Sequence, residues 1–282
     1  MTLAFSSCPN DTFMFHALVH GLVDTEGLTF DVDIHDVEEL NLRAQGETYD
    51  VSKLSYHGWF AVHELYDMLP VGSALGWDCG PLLVRRADDP GVLRRKDLKV
   101  AIPGRYTTGA LLCTLAYPGL GEMLPMLFSE IEGAVARGEA DLGVLIHEGR
   151  FTYRDKGLEL VRDLGSWWQE SYGCPIPLGG IAVRRSLGPE IAASMNRALH
   201  RSISYALAHP EASREYVASY ARELSASIQQ QHIDMFVNRY SLELGEEGRR
   251  AVDTLYERYE RDYLHGKGQQ TLPGGRERCT GA

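Results

Sequence analysis

The chain has 282 residues, 44% hydrophobic and 24% charged, which is enough for a buried core of ordinary size and places it among globular proteins. Its formal net charge of −11 argues against nucleic acid and anionic membranes as partners. Five widely spaced cysteines with no Cys-x-x-Cys support neither a zinc site nor a redox pair; together with the absence of a signal-peptide pattern before Cys8 and of any long apolar run, they read as reduced thiols of a cytoplasmic protein.

Short apolar runs alternate with helix-like segments, the pattern of an α/β protein. Residues 3–6 read as a first strand, and Cys8-Pro9-Asn10-Asp11 as a turn in which Asn10 or Asp11 caps a helix from Thr12. Residues 28–35 alternate as a second strand, 37–44 form a short helix, and 49–53 form a third strand that passes at Ser55 or Tyr56 into a helix. After a strand at 80–84, the polar run 85–91 reads as a crossing into a second lobe. There, a strand at 98–102 leads through Pro103-Gly104 to a helix at 107–116. Further strands fall at 123–127, where Pro125 weakens the pattern, and at 142–146 and 158–161, with a helix at 131–137. Residues 175–180, with two prolines and two glycines, read as the return crossing. Beyond 181–183 the chain turns helical: Ile191, Met195, Leu199, Ile203 and Leu207 recur every four residues and form one apolar stripe. More helices are expected at 210–222, 226–239 and 246–263, and a disordered tail thereafter. The expected architecture has two lobes. Residues 1–90 and 181–263 form lobe 1, 91–180 form an inserted lobe 2, and 264–282 form the tail. A ligand cleft is expected between the lobes, fed by loops at the C-terminal ends of strands.

Four segments carry chemistry in that frame. In Val51-Ser52-Lys53-Leu54-Ser55-Tyr56 a strand ends in Lys and Ser where a helix opens, so the helix N–H groups and the Lys53 charge form an anion cradle; Ser55 as a plain N-cap fits the same residues. In Pro103-Gly104-Arg105-Tyr106-Thr107-Thr108 two hydroxyls stand at a helix start, suited to a carboxylate or phosphate or to simple capping, and the closing Gly-Lys of a Walker motif is absent. His147 directly follows a buried strand, where α/β sites lie, and is a natural general base, with Glu148 or Arg150 to orient it; a structural, hydrogen-bonded histidine is the alternative. Cys8, Asn10 and Asp11, after the first strand, line the cleft in this reading, and Cys8 beside a turn is read as inert rather than nucleophilic. His16 and His20 share a helix face but have no third ligand, so no metal is expected. Trp167, Trp168 and Tyr172 are suited to stacking on an aromatic ligand, though packing is the commoner role.

Together these runs resemble the 1,4-dihydroxy-6-naphthoate synthase family: Ser7-Cys8-Pro9-Asn10-Asp11-Thr12-Phe13, Lys53-Leu54-Ser55-Tyr56, Pro103 to Thr108, Ile146-His147-Glu148-Gly149-Arg150-Phe151-Thr152-Tyr153 and Pro177-Leu178-Gly179-Gly180. Order and spacing agree from residue 3 to about 263; Ser7 stands where Pro is usual, and Gly149 where other small residues occur. The resemblance implies a two-lobed fold like that of type 2 periplasmic binding proteins. It implies a carbon–carbon lyase of menaquinone biosynthesis by the futalosine route, which splits cyclic dehypoxanthinyl futalosine into 1,4-dihydroxy-6-naphthoate and dihydroxyacetone without metal or organic cofactor. By this resemblance His147 is the proton acceptor and Lys53, Leu54, Ser55, Thr107 and Thr108 bind substrate; Cys8, Asn10, Asp11, Arg150 and Gly179 are further candidates to line the cleft. The partner implied is a small anionic substrate with an aromatic carboxylate. Two other readings share the fold: a sister enzyme of the chorismate dehydratase type, and a non-catalytic binding protein for a small anion.

Overall fold

A computed structural model describes residues 1–147, 149–221 and 225–265. The chain opens with β1 (Thr2–Phe5), α1 (Pro9–Val19), β2 (Asp31–Ile34), α2 (Val37–Ala44), β3 (Val51–Ser55), α3 (Tyr56–Val62), β4 (Tyr66–Met68) and β5 (Ala74–Gly76). It then crosses to β6 (Leu82–Arg86), β7 (Leu98–Ile102), α4 (Thr108–Ala116), β8 (Gly121–Pro125), α5 (Phe128–Ala136), β9 (Leu142–Leu145), α6 (Gly149–Thr152), β10 (Leu158–Asp163) and α7 (Leu164–Tyr172). It returns through β11 (Ile176–Arg184) and closes with α8 (Pro189–Ala208), α9 (Arg214–Tyr220), α10 (Ala226–Phe236), α11 (Arg239–Leu242), α12 (Gly245–Arg258) and a π-helical turn, Tyr259–Leu264.

The strands form two sheets. The first has the order β2-β1-β3-β11-β4, with β5 also paired to β11; the second has the order β10-β6-β9-β7-β8. β1 runs parallel to β2 and β3, and β7 parallel to β8 and β9, so the loops that leave β1, β3 and β7 gather at strand C-termini, where α/β sites form. The four-residue stripe of α8 buries Met195, Leu199 and Ile203 against Leu3, Phe5 and Phe15 beneath the first sheet. A second core joins the lobes: Tyr56 and Phe60 of α3 pack in one cluster with Val100 and Leu111 of the second lobe and Leu255 of α12. The C-terminal helices therefore pack into both halves.

Strand pairing moves the crossings from where the chemistry of the sequence suggested. The strand expected at the end of lobe 1 is β6, which pairs with β9 and β10 in the second sheet, so the chain crosses between Gly76 and Leu82 and not at 85–91. The polar run 85–91 is an ion-paired turn: Arg86 meets Asp88, and Arg95 meets both Asp89 and Asp141, so local charge matching gives it a linker-like composition. Residues 176–180 likewise belong to β11; the register shift between Pro177 and Gly179 lets proline sit in a sheet where a regular ladder would miss its N–H. Pro125 ends β8, an edge strand, where that N–H is also not needed. Helix α1 starts at Pro9 with Cys8 in the N-cap position, so Asn10 and Asp11 lie inside the helix and do not cap it; proline's fixed φ suits the first helical position. From residue 266 onward, the expected tail lies outside the described residues.

The crossing needs glycine on both sides. A Cβ on Gly165, in the first turn of α7, would stand 2.6 Å from Gly80 Cα, and one on Gly80 would stand 2.2 Å from Gly165 Cα. The two backbones touch at the point where the chain enters the second lobe. Gly165→Ala is expected to lower stability by about 1–3 kcal/mol through overpacking, measured as a lower urea midpoint at unchanged slope; an unchanged midpoint would mean that the backbones have room to part.

Candidate active site

A cleft lies between the sheets, lined by residues of both. Lys53, Leu54, Ser55, Thr107, Thr108 and His147 all line it, as do Asn10, Asp11, Arg150 and Gly179. These residues, at scattered positions along the chain, face one space; Cys8, expected to line it as well, is not among its lining residues and instead lies behind them against His147.

Its floor is a buried ion pair. Lys53 Nζ lies 3.0 Å from Asp11 Oδ1, and the two residues are 6% and 1% exposed. Asp11 also accepts from Asn10 Nδ2 (2.8 Å), Ser6 Oγ (2.6 Å) and the Ser6 N–H (3.3 Å). Two buried charges are tolerable only with such saturation, because desolvation otherwise exceeds their attraction. Lys53 is therefore not a lone cationic cradle. Its charge is offset by Asp11, and among the described residues its ammonium has no second acceptor, which leaves N–H bonds available to a ligand.

His147 ends the turn after β9, on the opposite wall. Its φ of 53° is left-handed, sparsely populated for a side-chain-bearing residue, and such strain gathers at functional positions. The imidazole lies between the rings of Phe128, edge-on at 5.0 Å between centroids, and His232, stacked at 5.7 Å. Cys8 Sγ is 3.4 Å from its Nδ1 and links it to the first lobe. Burial pushes the His147 pKa down to about 4; nearby Asp11 opposes that shift and Lys53 adds to it. At neutral pH the ring is unprotonated and able to accept a proton.

The hydroxyls divide. Ser55 occupies the N-cap position of α3 but makes no capping bond; its Oγ accepts from Asn41 Nδ2 at 3.3 Å instead. Thr107 does cap α4, accepting from the Ala110 N–H at 3.3 Å and donating to Gly104 O at 2.9 Å. Thr108 Oγ1 donates to Leu178 O at 2.7 Å and accepts from the His57 N–H at 3.3 Å, which ties α4 to β11 and α3. Nearby, Glu38 of α2 accepts from the Tyr106 N–H, so the loop before α4 is held by the first lobe on two sides. Gly179 is required by closeness: a Cβ there would lie 2.6 Å from Leu54 O.

Arg150 does not orient His147. It pairs with Asp163 at 2.8 Å and donates to the carbonyls of Gly80 and Asp78, so it clamps the loop after His147 to the crossing. Glu148 lies outside the described residues. Trp168 is fully buried and donates to Pro175 O; with Trp167 and Tyr172 it packs in the core and does not line the cleft. Among the described residues no group of three or more His, Cys, Asp and Glu side chains is arranged to hold a metal ion, and no helix is long and apolar enough to cross a membrane.

Sequence reasoning missed His232. It lines the cleft from α10 and is 0% exposed, yet in the sequence it was one more histidine in a helix-like segment. The signal available was its place on the buried stripe with Ile233 and Phe236.

Residues 1–261 match a protein family described as Menaquinone biosynthesis. The chain is 43% identical over 257 residues to a 1,4-dihydroxy-6-naphthoate synthase of Thermus thermophilus, covering 91% of this chain and 92% of that protein. It is 40% identical over 263 residues to a protein of the same name from Streptomyces coelicolor, covering 92% of each. Among solved structures, protein AF1704 of Archaeoglobus fulgidus superposes with a TM-score of 0.87 at 37% identity, covering 93% of this chain and 97% of that one. The periplasmic aliphatic sulphonate binding protein SsuA of Escherichia coli superposes with a TM-score of 0.63 at 11% identity, covering 94% and 87%, so the expected binding-protein-like fold is the one observed.

The ion pair makes a separable prediction. Asp11→Asn and Lys53→Met, each leaving one buried charge or its partners unpaired, are expected to cost about 3–5 kcal/mol apiece, whereas the double variant should lose much less than the sum. Urea denaturation of the four proteins checks this; additive losses would mean that the two side chains do not interact.

Proposed function

We infer the reaction from kinship and site together: the chain belongs to the menaquinone biosynthesis family, and its reaction is that of a 1,4-dihydroxy-6-naphthoate synthase. On this reading it cleaves a carbon–carbon bond of cyclic dehypoxanthinyl futalosine, releasing 1,4-dihydroxy-6-naphthoate and dihydroxyacetone. Neither the dehydratase nor the transport-binding reading is favoured, since both relatives carry the synthase name.

The observation that carries the reading is the neutral imidazole of His147 on the cleft wall. Releasing dihydroxyacetone requires a proton to be removed, and formation of the aromatic naphthalene drives the step forward. His147 is proposed as the acceptor, a role that contributes roughly 10²–10⁴-fold. The substrate's carboxylate is proposed to sit where the spare Lys53 N–H bonds and the N-terminal turn of α4 face the same cleft. Thr107 and Thr108 then act mainly by fixing that turn, since their hydroxyls already have partners. Asp11, Lys53, Ser55, Thr107 and Thr108 are buried, which strengthens the polar interactions they make. No metal or organic cofactor enters this proposal. A cytoplasmic setting is part of it, in keeping with the buried thiols Cys79, Cys113 and Cys174, which form no disulfide.

The test is direct turnover. Purified protein, cyclic dehypoxanthinyl futalosine and EDTA are mixed, and the dihydroxynaphthoate is followed by absorbance. Wild type is expected to form product. His147→Ala is expected to lose about 10²-fold or more in kcat while still binding the naphthoate. An inactive wild type would overturn the reaction, and full activity in His147→Ala would remove that residue from the role of base.

A further inference from the structure

His232 is fully buried and its ring faces the cleft from α10. Neither Nδ1 nor Nε2 has a hydrogen-bond partner among the described residues. Buried polar atoms are nearly always paired, and each exception calls for an explanation. A position that served only to fill space would favour an apolar ring, because replacing an unpaired polar group by an apolar one of similar shape is neutral or stabilising. The neighbours explain nothing by themselves: Phe236, one turn along, lies 4.6 Å away, and His147 stacks at 5.7 Å with 22° between the rings. Burial, with His147 and Lys53 nearby, holds the His232 pKa well below the ordinary histidine value, so the ring is neutral and offers one donor and one acceptor.

We propose that His232 is a second imidazole of the active site, which hydrogen-bonds a substrate oxygen directly and holds the reacting carbon framework against His147. The inference rests on the reaction proposed above. The oxygen is a hydroxyl or carbonyl. A carboxylate is better matched by the full charge of Lys53, whereas a neutral N–H suits an oxygen that gains negative charge only as the bond breaks. His147 moves the proton and His232 fixes the oxygen, and two stacked neutral rings divide these tasks without placing two cations side by side.

The experiment compares wild type, His232→Phe and His232→Gln as full chains. His232→Phe is expected to keep or raise Tm, since two unpaired buried atoms are removed, while kcat/KM falls by about 10²–10³-fold. His232→Gln, which retains an amide donor and acceptor, should recover part of that loss. In wild type, the ring ¹⁵N resonances of His232 should move on saturation with 1,4-dihydroxy-6-naphthoate. Wild-type kcat/KM in His232→Phe would overturn the proposal, as would lost activity that only follows lost stability. If His232→Phe does not fold, the resonances decide, and no movement on saturation overturns it. Active wild type with active His232→Phe sinks the role of His232 alone; inactive wild type sinks the reaction instead.

Discussion

The site depends on the buried pair of Asp11 and Lys53. A lone ammonium at the base of the cleft would bind anions well but would be costly to desolvate; a lone carboxylate would hold a proton on any nearby imidazole. Paired and saturated by Ser6 and Asn10, the two act in opposite senses at His147, where Asp11 raises the pKa and Lys53 lowers it. Burial is the largest influence, and it keeps the ring a free base. The sign carries over to folding. Between an unfolded value near 6.5 and the folded value of about 4, the unfolded chain binds a proton that the folded one does not, so this residue weakens folding as the pH falls through that window.

The fold places these groups by lining one cleft with residues from both sheets. Asp11 comes from the first turn of α1 and Lys53 from β3, His147 and the N-terminal turn of α4 from the second lobe, and His232 from α10, a C-terminal helix that packs on the first lobe. Hydrogen bonds made by Glu38, His57 and Thr108 span the two halves. A binding fold becomes a catalytic one when the enclosed space holds a base, so the fold by itself does not assign a reaction.

Much of this was legible in the chain. The helix at 37–44 and the strand at 98–102 coincide with α2 and β7, because each has a clean period and clear end signals. The cleft-facing runs were visible because hydroxyls, glycines and a lysine sit where strands pass into helices. Two kinds of feature were not legible. The crossings were displaced because ion-paired turns and prolines at a strand irregularity look like linkers in composition; only the pairing partner, set by distant β9 and β10, tells them apart. Partners of single side chains were also hidden. Lys53 read as a free charge and Arg150 as a tuner of His147, whereas Asp11 and Asp163 claim them. The one sign His232 gave, its place on a buried helical stripe, did not single it out, since such a histidine looks the same whether it packs or binds.

On the proposed reading the cleft keeps His147 unprotonated so that it accepts the substrate's proton. The most direct test is the pH dependence of kcat/KM over the range in which the enzyme stays folded. A plateau is expected from about pH 8 to about pH 5 with an acid limb near 4, the limb missing from the residual activity of His147→Ala. A limb near 6.5, or one unchanged by the substitution, would contradict it.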